Sequence, residues 1–268
     1  MGAFDLKAFY AQVDGLYRDG HGDEVHRHLA DSLVAARRSG DPLAIVAIAS
    51  ELGGVERVRG DLRQAEALYD EALLVHGRMP SPDAASSANL LINKGDVLVA
   101  QGRHAAAVNL FDRAEALLGD GAKTAFQRSA ICNNRGAAYR EMGEYALARR
   151  ELRRAASLLD LADGADDKRA VILVSLAQIL VKEGRLDEAR REIDAALRLY
   201  ETLSGGRDIH RPNAYACSGQ IAYLEGDYRF AADQMHRAAE ALRDKVGASP
   251  MVERLQEECR RMQRLADE

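Results

Sequence analysis

The chain has 268 residues, 47% of them hydrophobic, and its 37 Lys and Arg against 42 Asp and Glu give a formal net charge of −5. That balance speaks against nucleic acid, whose binders normally carry a basic excess, and no apolar run approaches the roughly 20 residues of a membrane helix. Three cysteines far apart on apolar helical stripes, Cys132, Cys217 and Cys259, indicate neither a disulfide framework nor a metal site and point to a reducing compartment. The start, M-G-A-F-D-L-K, has no signal-peptide core, and Leu6 stands where a myristoylation motif needs Ser or Thr. The expected location is the cytoplasm. Arginine outnumbers lysine 31 to 6, which points to a GC-rich, bacterial genome.

Along the chain, amphipathic helical segments alternate with glycine turns. Residues 4–38 read as a drifted hairpin turning near Gly20, a terminal unit with one face in water. Its His21, His26 and His28 lack the i, i+4 spacing of a helical zinc motif and read as solvated helix. Full hairpins follow at 42–77, 82–119, 123–161, 166–203 and 209–246. Three helix starts read as an N-cap residue followed by proline: Asp41-Pro42, Ser81-Pro82 and Ser249-Pro250. The links Gly119–Lys123, Asp163–Asp167 and Ser204–Asp208 are too short to part domains, so residues 1–268 read as one array. A closing helix, 249–266, carries Met251, Leu255, Cys259, Met262 and Ala266 on one stripe, with Glu253, Glu257, Arg260 and Arg264 facing away.

Five turn glycines, Gly60, Gly102, Gly143, Gly184 and Gly226, stand 42, 41, 41 and 42 residues apart. Five residues after them come Ala65, Ala107, Ala148, Ala189 and Ala231, and twelve after, Ala72, Ala114, Ala155, Ala196 and Ala238. Nine after comes a large apolar residue: Tyr69, Phe111, Leu152, Ile193 or Met235. Seven before is a small one: Gly53, Gly95, Gly136, Ala177 or Gly219. These columns resemble the tetratricopeptide repeat over nearly the whole chain, although the family's aromatic four before the turn survives only as Tyr139. The common repeat has 34 residues. The longer period here is similar to that of kinesin light chains and many bacterial repeat proteins, as are Leu91-x-Asn93 and Asn133-Asn134 in the first helices. The resemblance implies an all-α, right-handed superhelical solenoid of antiparallel hairpins ending in a capping helix.

It also implies that the first helix of each hairpin lines a concave groove. The corresponding positions are Ser50, Glu51, Gly54 and Arg57; Asn89, Asn93 and Asp96; Asn133, Asn134, Arg140 and Glu141; Ser175, Gln178 and Lys182; Asn213, Gln220 and Tyr223. The candidate binding residues are Glu51, Asn89, Asn93, Asp96, Asn133, Asn134, Arg140, Gln178, Lys182 and Gln220. Carboxamides both donate and accept, which suits the backbone of an extended peptide, and Asn93 and Asn134 match the family's asparagine ladder. With Glu51 and Asp96 toward one end and Arg140 and Lys182 toward the other, a bipolar ligand is expected.

Some charges fall inside the packed stripe. Lys94 and Arg135 occupy an otherwise apolar column and Glu56 replaces an aromatic, so ion pairs between repeats are expected, for example Glu56 with Lys94, the alternative being a charged pocket. Arg149, Arg150, Arg153 and Arg154 read as a solvated convex face. No phosphate-binding glycine loop, metal motif or nucleophile–base set can be assembled. The expected function is a non-catalytic scaffold, without cofactor, binding another protein or an extended peptide in the groove. The alternatives are a ligand- or peptide-sensing regulator and an accessory subunit of a separately encoded enzyme.

Overall fold

A computed structural model describes residues 4–160, 165–203 and 210–268, apart from the side chain of Ala122. The expected links at 163–164 and 204–208 and the first three residues lie outside the described residues. Among those described there are thirteen α-helices and no strand: α1 Leu6–Arg18, α2 Gly22–Ser39, α3 Pro42–Arg59, α4 Leu62–Gly77, α5 Ala84–Ala100, α6 His104–Leu118, α7 Ala125–Glu141, α8 Tyr145–Leu159, α9 Asp166–Lys182, α10 Leu186–Thr202, α11 Arg211–Glu225, α12 Tyr228–Val246 and α13 Pro250–Asp267. None of these helices is long and apolar enough to cross a membrane.

Each paired first helix ends the same way. Gly60, Gly102, Gly143, Gly184 and Gly226 have φ of 95°, 77°, 80°, 73° and 85°, a left-handed conformation that only glycine adopts without a Cβ penalty. The next residue then donates its N–H to the carbonyl five residues back, as Asp61 does to Glu56 (2.9 Å) and Arg103 to Leu98 (2.8 Å), so orphan helix-end carbonyls are satisfied while the chain reverses. Asp41 and Ser249 cap α3 and α13 as expected. Ser81 does not cap α5: Asp83 accepts from the Ser86 N–H (2.7 Å) and the helix starts at Ala84. A carboxylate two residues further on offers a charge-assisted cap beside the helix dipole, which moves the start past Pro82.

The ten alanines five and twelve residues after the turns are fully buried, and the large residues nine after are at most 7% exposed. The glycines seven before make room for them. A Cβ on Gly53 would lie 3.0 Å from the Tyr69 ring, and one on Gly95 would lie 2.8 Å from Phe111 Cζ. Helices α3, α5, α7, α9 and α11 pack in succession as an inner layer, with α4, α6, α8, α10 and α12 outside them.

The two ends of the array meet. Helix α2 packs on α12, and α13 packs on α12 and also touches α3, so residues of α1–α4, α12 and α13 share one apolar cluster including Val25, Leu29, Leu242, Val246 and Leu255. The first hairpin therefore does not leave one face in water as a terminal unit should, and α13 does more than solvate the end of the stack. Summed over six hairpins, the small rotation per repeat brings the array round upon itself.

Candidate binding site

Because the ends meet, the concave surface is a lumen. One cavity of ≈ 280 Å³ is lined by Arg57 of α3, Asp96 of α5, Asn133, Asn134 and Arg140 of α7, Ser175 and Gln178 of α9, and Asn213 of α11. All five inner helices contribute to it. It shares Arg57, Asp96, Asn133 and Asn134 with a neighbouring cavity of ≈ 340 Å³ lined also by Ser50, Glu51, Asn93 and Tyr69. Gln220 and Tyr223 line a third cavity, with Gln178, between α11 and α13. Asn89 and Lys182 are exposed and line none of these; Lys182 is the last residue of α9, at the rim rather than the wall.

The carboxamides are joined to one another. Ser175 Oγ donates to Asn133 Oδ1 (2.7 Å), Asn133 Nδ2 donates to Asn134 Oδ1 (3.1 Å), and Asn134 hydrogen-bonds the Asp96 carboxylate. This chain crosses α9, α7 and α5, so it ties three inner helices together as well as facing the cavity. Each Asn amide keeps a second N–H for a ligand acceptor, and chained hydrogen bonds strengthen one another in a low-dielectric interior. Desolvation raises the Asp96 carboxyl to about 6, against the opposing pull of Arg57 and the Asn134 bond. The side chains of Asn93 and Arg57 make no hydrogen bond or ion pair within the described residues, although Arg57 acts on Asp96 through space. Arg140 is engaged by Gln178 and by Glu141 (2.9 Å).

Charge is not split along the lumen as expected. Arg57 sits among Glu51 and Asp96, Arg140 is held by Glu141, and Lys182 lies outside. Position along the sequence predicted a gradient, but Glu51 and Arg57 share α3, Asp96 lies on the adjacent α5, and Arg140 is next to Glu141 on α7, so opposite charges mix locally. His210 and Lys168, which sequence reasoning did not single out, also line the lumen. Both lie near the start of a first helix, where the groove register gives no signal.

The embedded charges find polar partners, mostly on neighbouring helices, and Glu56 does not meet the partner expected for it. Glu56 faces His26 (2.8 Å) and Arg59 (3.8 Å) rather than Lys94, because α2 packs over α3. His26 is accordingly part of this seam rather than solvated. Lys94 pairs with Asp70 (2.5 Å), and Arg135 with Glu115 (2.5 Å) and Asp112 (3.2 Å), each reaching the second helix of the preceding repeat. On the convex side Arg149 is bound to Glu183, Arg150 to Glu151 and Arg154 to Glu115. Arg150, whose side chain is 68% exposed despite that contact, and Arg153 fit the expected solvated face; Arg149 and Arg154 do not.

The fold and the lumen define a helical-repeat array with a polar, amide-rich interior. Profiles of the tetratricopeptide repeat match residues 45–119, and 129–158 and 170–202, together just over half of the chain. The chain belongs to the tetratricopeptide-repeat family. No curated protein matches it. Among solved structures it is similar to BtubC (BKLC) from P. vanneervenii, at 21% identity and a TM-score of 0.56 over 84% of this chain and 92% of that one. It is also similar to PilW, a type IV pilus biogenesis factor, at 18% identity and a TM-score of 0.53 over 91% of this chain and 97% of that one. Likeness at this identity shows a shared fold.

Proposed function

We propose that the chain is a non-catalytic cytoplasmic scaffold that holds a segment of another protein, or a peptide, against the lumen face of its inner helices. The observation that carries this reading is the single cavity to which all five inner helices contribute Asn, Gln, Ser or charged side chains. Amides with spare donors suit peptide groups without demanding a particular side-chain sequence, and Glu51, Asp96, Arg57 and Arg140 supply charge at defined points. Asn93, Asn134 and Gln178 are the proposed backbone contacts. Asn89 and Lys182 are at most rim contacts.

A sensing role is the second reading, favoured by cavity size: ≈ 340 Å³ lies within the range of sites that enclose a small molecule. Co-purification followed by cross-linking mass spectrometry separates the two. A protein recovered with cross-links to lumen-lining positions supports the scaffold. A bound small molecule and no protein supports the sensor, and cross-links confined to the outer helices α4, α6, α8 and α10 would overturn both.

A further inference from the structure

The joint between α2 and α12 is built as a specific contact rather than as two terminal units brushing past each other. Gly22, the first residue of α2, lies against the backbone of Val246 and Gly247 at the end of α12. A Cβ on Gly22 would come 2.6 Å from the Val246 N and 2.7 Å from the Arg243 O, so the close approach requires glycine. Gly247 has a φ of 72° and faces Asp23 just as closely. Polar bonds cross at the same point: Asp23 Oδ1 accepts from the Ala248 N–H (3.1 Å), Arg59 Nη1 donates to the Val246 carbonyl, and Arg59 lies 3.7 Å from Asp23. Arg59 in turn faces Glu56, which binds His26. Apolar residues of both ends, Val25 and Leu29 with Leu242 and Val246, are buried in the one cluster. Helix-end groups that are orphans in an open array, the Val246 carbonyl and the Ala248 N–H, find their partners here across the whole length of the sequence.

An open superhelix offers a groove along which a long extended chain can lie, entering at one end and leaving at the other. A shut ring does not. We infer that the α2–α12 seam is a latch holding the array as a closed ring, and that the partner it fits is a short polar loop or chain end entering along the ring axis. A strand running lengthwise past both ends of the stack is excluded while the latch is shut. This inference rests on the reading of the lumen as the binding surface, but its closure half stands without it.

The test needs no identified partner. In a chain with Asp23→Cys and Ala248→Cys, mild oxidation should give an intrachain disulfide with an unchanged helical spectrum; a short bismaleimide serves as a second bridge less demanding of geometry. The native thiols leave the assay clean, since burial raises Cys132 to about 11 and Cys217 to about 12 and all three cysteines are buried. Access is read separately with Asn134→Cys in the lumen and Arg153→Cys outside. N-ethylmaleimide should alkylate both. The same maleimide carried on a folded protein should react with the lumen thiol at least about tenfold more slowly than with the outer one, whether or not the seam is bridged. Two free seam thiols that neither reagent joins in a folded chain would overturn the latch. Equal rates of the protein-borne reagent at the two sites in the unbridged protein would overturn the restriction on partner shape. Neither result depends on where a partner cross-links, so failure of this inference is distinguishable from failure of the scaffold reading.

Discussion

Glu56 is 9% exposed and faces His26 at 2.8 Å and Arg59 at 3.8 Å. A double-mutant cycle of Glu56→Gln with His26→Ala, read by chemical denaturation, should show coupling of about 0.5–3 kcal/mol, whereas Glu56→Gln with Lys94→Leu should be additive within about 0.5 kcal/mol. The reverse pattern would restore the Glu56–Lys94 pairing. The sequence marks Glu56 as anomalous because a charge stands where an aromatic belongs. Its partner could not be read, since His26 reaches it only after one hairpin packs on the next. Asp96 gives a second residue-scale test. Its carboxyl is raised to about 6 by desolvation, against about 4 in an unfolded chain. Between those values the folded chain holds a proton that the unfolded chain has released, so this group's contribution to stability falls as pH rises through about 4 to 6 and stays low above. Asp96→Asn should remove that fall and raise the thermal midpoint at pH 7; an unchanged profile would contradict the desolvation.

Within a hairpin, the glycine seven before the turn and the large residue nine after it work as a pair. Gly95 faces Phe111 more closely than Gly136 faces Leu152, where the nearest atoms to an added Cβ are at 3.3–3.4 Å. Gly95→Ala should therefore cost about 1–3 kcal/mol by overpacking, with much of it recovered by adding Phe111→Leu, while Gly136→Ala should cost distinctly less. Equal costs, measured by urea denaturation, would mean that the pair does not set the approach of the two helices. The pairing was visible in the sequence as two columns, and Ala177 opposite Ile193 shows the same compensation from the other side. The start of α5 was less legible, because Ser81-Pro82 and Asp83 are both respectable caps and only their competition decides. The convex clamps were missed for a similar reason. Arg149 with Glu183 and Arg190 with Glu225 repeat one register, six residues after one turn to one before the next, which charge counting on a single helix does not reveal.

At the scale of the molecule, the repeat columns made the all-α array and its inner face readable, since they recur within each unit. Closure was not readable. It depends on a rotation summed over six hairpins, to which no single residue testifies, although Gly22 and Gly247 mark the place where the ends touch. A closed, tightly packed ring should keep its thiols from reagents. Cys132, Cys217 and Cys259 should together alkylate at least about a hundredfold more slowly in native protein than in urea, as followed by intact mass, and rapid native labelling would mean that the helices part far more readily than their packing implies. Such closure also narrows where a partner can sit, and this makes the affinity of lumen variants decisive. The measurement is the Kd of the co-purified partner for Asn93→Ala with Asn134→Ala, compared with Arg150→Ala with Arg153→Ala on the convex face. Each lost hydrogen bond is worth about 0.5–1.5 kcal/mol, so the lumen pair should weaken binding by roughly tenfold or more and the convex pair by less than about twofold, with both variants retaining the parent's helical spectrum. Loss of the partner on the convex change and retention on the lumen change would contradict the account.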